Sequence, residues 1–152
     1  MFRGHSYRNQ DDKGRLSLPP EFRDEILDLS PGGKLVLTNF DQCVLGYPLP
    51  EWEALEQSFG QLNQAKDWAR KFHRFFIAAA VEVPLDRQGR ILVPPHLRNY
   101  AGLNNKEVVV AGVGRKIEIW DKDRFEAQRL EVMENFDDMM TNLAENGIDL
   151  RI

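Results

Sequence analysis

Asp11-Asp12-Lys13-Gly14-Arg15-Leu16-Ser17-Leu18-Pro19-Pro20-Glu21-Phe22-Arg23 is the stretch that decides the fold, because the chain carries it twice. The second copy reads Asp86-Arg87-Gln88-Gly89-Arg90-Ile91-Leu92-Val93-Pro94-Pro95-His96-Leu97-Arg98, at a constant offset of 75 residues. The aspartate, the glycine, the arginine after it, both prolines and the final arginine are identical. Agreement at so many fixed positions marks an internal repeat, and a repeat governs how the rest of the chain is read.

Each copy prescribes the same local structure. Gly14 or Gly89 supplies the positive φ that a tight hairpin turn requires. The apolar triplet after the arginine makes a short strand, which the first proline ends because it has no N–H for a ladder. The second proline opens a helix, where a missing N–H costs little. These helices are expected over 20–28 and 95–101, closed by Ser30-Pro31-Gly32-Gly33 and by Gly102. A second hairpin follows in each copy, strands 34–39 with 42–47 and 107–111 with 116–120. In that part Leu35-Val36-Leu37 matches Val108-Val109-Val110, and Tyr47 and Trp52 match Trp120 and Phe125, now at an offset of 73. One such unit is too small to bury its own core, so the two are expected to pair and share one.

Outside the repeats, two stretches read as helical. Leu62, Ala65, Trp68, Phe72, Phe75, Phe76 and Ala79 follow helical spacing within about 50–80. Lys66, Arg70 and Arg74 recur at i+4 on a different face, beside His73. Such a stripe is either a second phosphate contact or a solvated helix face. Phe125, Val132, Met133, Phe136, Met139, Met140 and Leu143 form the other amphipathic pattern, suited to packing within the chain or against a neighbouring subunit. The organisation expected is therefore repeat 1 over 5–52, a helical connector over 53–80, repeat 2 over 81–125 and a C-terminal helical segment over 126–152.

Net charge is −4 over 152 residues, which by itself argues against a nucleic-acid partner. The distribution reverses that argument. Residues 121–152 hold nine acids against four bases, so residues 1–120 are close to neutral, and the opening stretch to Arg23 holds five bases against three acids. With no apolar run near the roughly 20 residues of a membrane span, no apolar stretch of a secretory leader and a single cysteine, Cys43, the expected compartment is the cytoplasm.

The sequence offers little for catalysis. His5, His73 and His96 have no metal-site spacing, and no serine sits in a nucleophile elbow. Gly112-Val113-Gly114 lacks the third glycine of a dinucleotide fingerprint, Ile117 standing in its place, and reads better as a hairpin turn. Cys43 reads as a small buried hydrophobe. No enzyme activity and no cofactor are expected.

The arginine after each turn glycine has two readings. Asp11 with Arg15, and Asp86 with Arg90, can brace the hairpin as exposed ion pairs of small energetic weight. Alternatively the arginines project from a paired-hairpin surface toward DNA, where the planar guanidinium donates two bonds to guanine O6 and N7 or grips a phosphate. A two-stranded ribbon fits the major groove.

At these residues the sequence resembles the MraZ family of bacterial transcriptional regulators. The resemblance spans essentially the whole chain. It rests on Met1-Phe2-Arg3-Gly4, on Asp12-Lys13-Gly14-Arg15-Leu16-Ser17-Leu18-Pro19, on Tyr47-Pro48-Leu49-Pro50-Glu51-Trp52, on the second Asp86-x-x-Gly89-Arg90 and on Leu97-Arg98 with Ala101-Gly102-Leu103. It implies an α+β fold of two tandem AbrB-like swapped-hairpin β-barrel repeats forming one pseudo-dimeric unit. It also implies a ring-shaped homo-oligomer at the nucleoid. That ring would bind double-stranded DNA at G-rich direct repeats in the promoter of the division and cell-wall gene cluster, its own gene included, usually repressing it. Carried over by position, the DNA contacts would be Arg15 first and Arg90 second. Lys13 and Arg87 would sit in the same hairpins near phosphates, with Arg3 and Arg8 just upstream. A ring-forming protein-interaction scaffold is the competing class.

Overall fold

A computed structural model describes residues 1–152 as two units, Met1–Lys122 and Asp123–Ile152. In the first repeat the elements are β1 (His5–Asn9), β2 (Arg15–Ser17), α1 (Pro20–Leu29), β3 (Lys34–Phe40) and β4 (Cys43–Pro48). The connector holds α2 (Leu49–Ser58) and α3 (Asp67–Ala78). The second repeat gives β5 (Val81–Pro84), β6 (Arg90–Leu92), α4 (Pro95–Ala101), β7 (Glu107–Val113) and β8 (Lys116–Asp121). Helices α5 (Lys122–Glu134) and α6 (Phe136–Glu145) follow. Both repeat helices open as proline chemistry dictates, with Pro20 and Pro95 in the first turn.

The pairing crosses between repeats. A six-stranded antiparallel sheet runs β1-β7-β8-β4-β3-β5. β1 lies on the second repeat's hairpin, from His5 opposite Ala111 to Asn9 opposite Glu107. β5 lies on the first repeat's hairpin, from Lys34 opposite Pro84 to Leu37 opposite Val81. β4 and β8 meet in the middle, with Leu45 opposite Glu118. Exchanging the two repeats reverses this order and leaves it unchanged, which is the mark of an internal pseudo-twofold.

The triplets behave differently from the simple hairpin expected. The first returns toward its own preceding strand only through the turn, where Gln10 bridges Leu16. Their ladder is with each other: β2 and β6 form a separate two-stranded ribbon, Arg15 opposite Leu92, Leu16 opposite Ile91 and Ser17 opposite Arg90. The physical reason is burial. Leu16, Leu18, Ile91 and Val93 are all at most 1% exposed and sit in one cluster with Phe22, Ile26, Leu97 and Ala101 of the two helices and Leu35, Leu37, Val108, Val110, Ile117 and Ile119 of the sheet. Burying an aliphatic side chain of this size is worth about 1.5–3 kcal/mol. Residues of both repeats are interleaved throughout the cluster, so neither repeat has a core of its own.

The connector is fixed over the first repeat by aromatic packing and by capping of its last carbonyls. Phe76 stacks with Trp52 at 5.7 Å and with Phe59 at 5.5 Å between ring centres. Thr38 Oγ1 donates to the Phe76 carbonyl at 2.6 Å.

Three helical expectations need correction. The stretch over 50–80 is two helices, because Asn63 folds a turn between them: its Oδ1 accepts from Ala65 N–H at 3.0 Å and its carbonyl from Lys66 N–H at 3.1 Å. Lys66 is therefore extended, ahead of α3, and the Lys66-Arg70-Arg74 stripe loses its first member. The buried residues of α3 are Ala69 and Phe76, whereas Trp68 stands 67% exposed. The C-terminal pattern is likewise broken at Asn135, whose side chain donates to the Glu131 carbonyl at 2.9 Å, so the Met-rich stripe is divided between α5 and α6. No helix is long and apolar enough to cross a membrane.

Candidate nucleic-acid interface

The ribbon places the two motif arginines together. Side chains alternate across a strand, so Arg15, Ser17, Arg90 and Leu92 share one face and Leu16 and Ile91 the other. The second face is sealed in the core, so the first must point outward. Ser17 lies directly opposite Arg90, and Arg15 directly opposite Leu92. The arginines are thus diagonal neighbours, at about 7–8 Å by ladder geometry.

Both arginines are held the same way. Asp11 Oδ1 accepts from the backbone N–H of Lys13 at 3.0 Å and of Arg15 at 2.9 Å, and Oδ2 accepts from Arg15 Nε at 2.5 Å. Asp86 repeats the pattern with Gln88 at 2.8 Å, Arg90 N–H at 2.9 Å and Arg90 Nε at 2.9 Å. Backbone donation from the following arginine, ahead of its side-chain bond and charge, holds the Asp11 carboxyl down at about 2 and lowers that of Asp86. The brace uses only Nε. The two terminal nitrogens of each guanidinium, which carry the planar fork, donate to nothing within the protein. The brace and the outward contact are therefore compatible roles for one side chain.

The turns are locked from across the pseudo-twofold. Val93 N–H donates to the Gly14 carbonyl at 3.0 Å, and Leu18 N–H to the Gly89 carbonyl at 3.1 Å. Arg98, from the second repeat's helix, lies against Gly14; Arg23, from the first, covers Gly89 and donates to the Gln88 carbonyl at 3.4 Å. A side chain on either glycine would overlap these groups. The one sequence signal for Arg23 and Arg98 is their identity in both copies, which by itself names no role. Ser17 and Leu92 carry no such signal, because only the cross-repeat register shows them flanking the arginines.

The remaining candidates separate. Lys13 and Arg87 are exposed on the two turns, Lys13 one residue before Gly14 and Arg87 two before Gly89. Arg8 is tied inward, donating from Nε to the Ser17 carbonyl at 3.0 Å and from Nη2 to the Leu18 carbonyl at 2.9 Å, beneath the ribbon. Arg3 is exposed at the far end of β1, where Phe2 bridges Gly114, roughly 26 Å of extended chain from the turn at Asp11. Arg15, Arg90, Lys13 and Arg87 are brought onto one ribbon with its turns; Arg8 supports it from below, and Arg3 lies apart. Cys43 is fully buried, with its thiol pushed well above the ordinary range by burial. No three His, Cys, Asp or Glu side chains are grouped so as to hold a metal ion.

These features define a class: a tandem-repeat protein whose halves exchange strands and present one arginine-bearing ribbon on a shared core. A family model described as "MraZ protein, putative antitoxin-like" matches the chain twice, over residues 1–75 and 76–146. "Transcriptional regulator MraZ" of Solidesulfovibrio magneticus is 56% identical over 152 residues, covering 99% of each chain. The protein of that name from Nitratidesulfovibrio vulgaris strain Miyazaki F is 46% identical over 100% of this chain and 99% of its own. That of Pediococcus pentosaceus is 41% identical over 97% and 100%. The chain belongs to the MraZ family.

Proposed function

We propose that this protein is a sequence-specific DNA-binding transcription regulator whose β2–β6 ribbon enters the major groove. The observation that carries the reading is that Arg15 and Arg90 stand on one outward face, held through Nε with both terminal nitrogens free. Two strands about 4.8 Å apart fit a groove about 12 Å wide. Arg15 and Arg90 donate to guanine edges, Lys13 and Arg87 grip phosphates, Arg8 steadies the ribbon, and Arg3 makes at most a peripheral phosphate contact.

The exchange of β1 and β5 supports an AbrB-type swapped-hairpin barrel, with repeats over 5–52 and 81–125 around a 53–80 connector, and a C-terminal segment over 126–152. In this reading the C-terminal segment helps to build a ring of identical chains in the cytoplasm, at the nucleoid. A ring holding many ribbons raises the effective concentration of the second contact once the first is made, adding roughly 10²–10⁴ in avidity. That suits a subunit of net charge −4, and it suits G-rich direct repeats in the promoter of its own division and cell-wall gene cluster, which it represses.

A gel shift on the protein's own upstream region tests this. Arg15→Ala should lower specific affinity about 5- to 150-fold at matched salt with unchanged melting. Full affinity in that variant would overturn the proposal. A protein-interaction scaffold is the second reading, favoured by Trp68 at 67% and Phe75 at 42% exposure. A salt titration separates the two, since DNA affinity falls steeply with salt and an apolar contact does not.

A further inference from the structure

The ribbon's outward face holds a third feature that the guanine contacts do not use. Leu92 is 51% exposed, although the other apolar residues of the two triplets, Leu16, Leu18, Ile91 and Val93, are buried. A single exposed leucine is ordinary on a protein surface. Its position is what distinguishes this one. It is the direct cross-strand partner of Arg15, on the same face as Arg15 and Arg90, the surface that would meet base edges. The pseudo-twofold gives it no twin, because Ser17 occupies the equivalent place beside Arg90.

We propose that Leu92 reads the 5-methyl group of a thymine in the major groove, next to the guanine contacted by Arg15. The inference rests on the DNA-binding reading above and adds a base to it. The major groove presents one apolar group, the thymine methyl, and an aliphatic side chain is the partner that recognises it. Cross-strand Cβ atoms lie about 5 Å apart, against a rise of about 3.4 Å per base pair. The thymine therefore lies one or two steps from the guanine of Arg15. Because Ser17 offers no such contact on the other side, the face is symmetric in its arginines and asymmetric in its apolar contact. That gives the ribbon a direction along the DNA, as sites arranged head to tail require.

The test is binding to the protein's own upstream fragment prepared with either thymidine or deoxyuridine, which differ at each position by the methyl alone. An unrelated fragment of the same length serves as competitor. The intact protein should bind the uracil fragment about fourfold more weakly per engaged ribbon, the worth of one buried methyl. Leu92→Ser, which installs the residue found at position 17, should lose the same factor on thymine DNA and nothing further on uracil DNA. Equal affinity of the intact protein for both fragments overturns the inference. So does a uracil penalty that survives undiminished in Leu92→Ser, and so does an effect of Leu92→Ser that comes from altered assembly mass by light scattering. Failure of the DNA-binding reading looks different: no preference for the thymine fragment over the unrelated competitor, in any variant.

Discussion

The two hairpin tips share a frame and differ in what they offer to a partner. In both, an aspartate caps the turn, the arginine Nε closes on it, a glycine carbonyl accepts from the opposite triplet, and an arginine from the opposite helix covers the glycine. The outward positions diverge. The first tip has Asp12 and Lys13 where the second has Arg87 and Gln88, so residues 11–15 are neutral overall while residues 86–90 carry a net +1. On the ribbon, Ser17 faces Arg90 and Leu92 faces Arg15. Beneath it, Arg8 has Val83 as its counterpart in the second repeat. The lesson is that the two copies keep the residues that build the shared frame, Arg15 and Arg90 among them, and differ at outward positions that take no part in it. The second tip is better placed to attract phosphate by charge, and the first to discriminate by directed contacts.

The largest expected effect comes from the turn glycines, and it too is unequal. Both have positive φ, +86° at Gly14 and +73° at Gly89. A Cβ at Gly14 would meet the Val93 carbonyl as well as Arg98, and backbone does not yield easily. At Gly89 the three nearest atoms all belong to the Arg23 side chain, which can swing away. Left-handed backbone costs an alanine about 1–2 kcal/mol. Gly89→Ala should therefore lose about that much, and Gly14→Ala about 2–4 kcal/mol. Thermal unfolding checks the order, at about 2–4 °C per kcal/mol for a domain of this size. Equal losses would show that the Val93 contact relaxes freely.

The next effect concerns recognition alone. Arg15→Ala should reduce specific affinity about 5- to 150-fold, and Arg90→Ala by less, with neither shifting the melting temperature by more than about 2 °C, since exposed ion pairs contribute little to stability. A larger loss from Arg90→Ala would transfer the leading role to the second tip. Smaller still is the phosphate contribution. Lys13→Ala and Arg87→Ala should each weaken binding to all sequences alike and flatten the salt dependence by about one unit of slope. Gln88→Lys should steepen it by a similar amount.

Much of this frame was legible beforehand. The 75-residue offset exposed the repeat, the proline pairs placed α1 and α4, and the Gly-Arg pairs located the tips. Strand exchange was not legible from the residues, because a three-residue triplet such as Leu16-Ser17-Leu18 specifies which side is buried but not which strand pairs with it. That choice is made by the core as a whole, where the ladder partner of Leu16 is Ile91 of the other repeat. The same gap hides the surroundings of Arg8, which the sequence places just upstream of the first hairpin. In the fold its guanidinium donates to the Ser17 and Leu18 carbonyls of its own repeat. The helix breaks had local signals, Asn63 and Asn135, whose side chains compete with the helical ladder. The apolar periodicity running across them hid those signals.

The smallest expected effect tests whether the two braces are equivalent in solution. The Asp11 carboxyl titrates at about 2 in the folded protein against an ordinary value of 3.8, chiefly through the Arg15 N–H it accepts. A group whose folded value is depressed stabilises the fold above its unfolded value and loses that contribution as pH falls through the folded one. The brace at Asp11 should therefore be intact at pH 5, hold as pH falls through 4, and open only between about 3 and 2. Asp86 is lowered for the same reason, so its brace should also outlast an ordinary aspartate. Carboxyl chemical shifts followed by NMR from pH 5 to 2 report both residues separately. Asp11→Asn removes the charge but can still accept from the two backbone N–H groups. It should keep the turn while freeing the Arg15 side chain, so specific affinity should fall by less than in Arg15→Ala. If Asp11→Asn instead matches Arg15→Ala, orientation by the carboxylate is what makes Arg15 competent, and the brace belongs to recognition as much as to the hairpin.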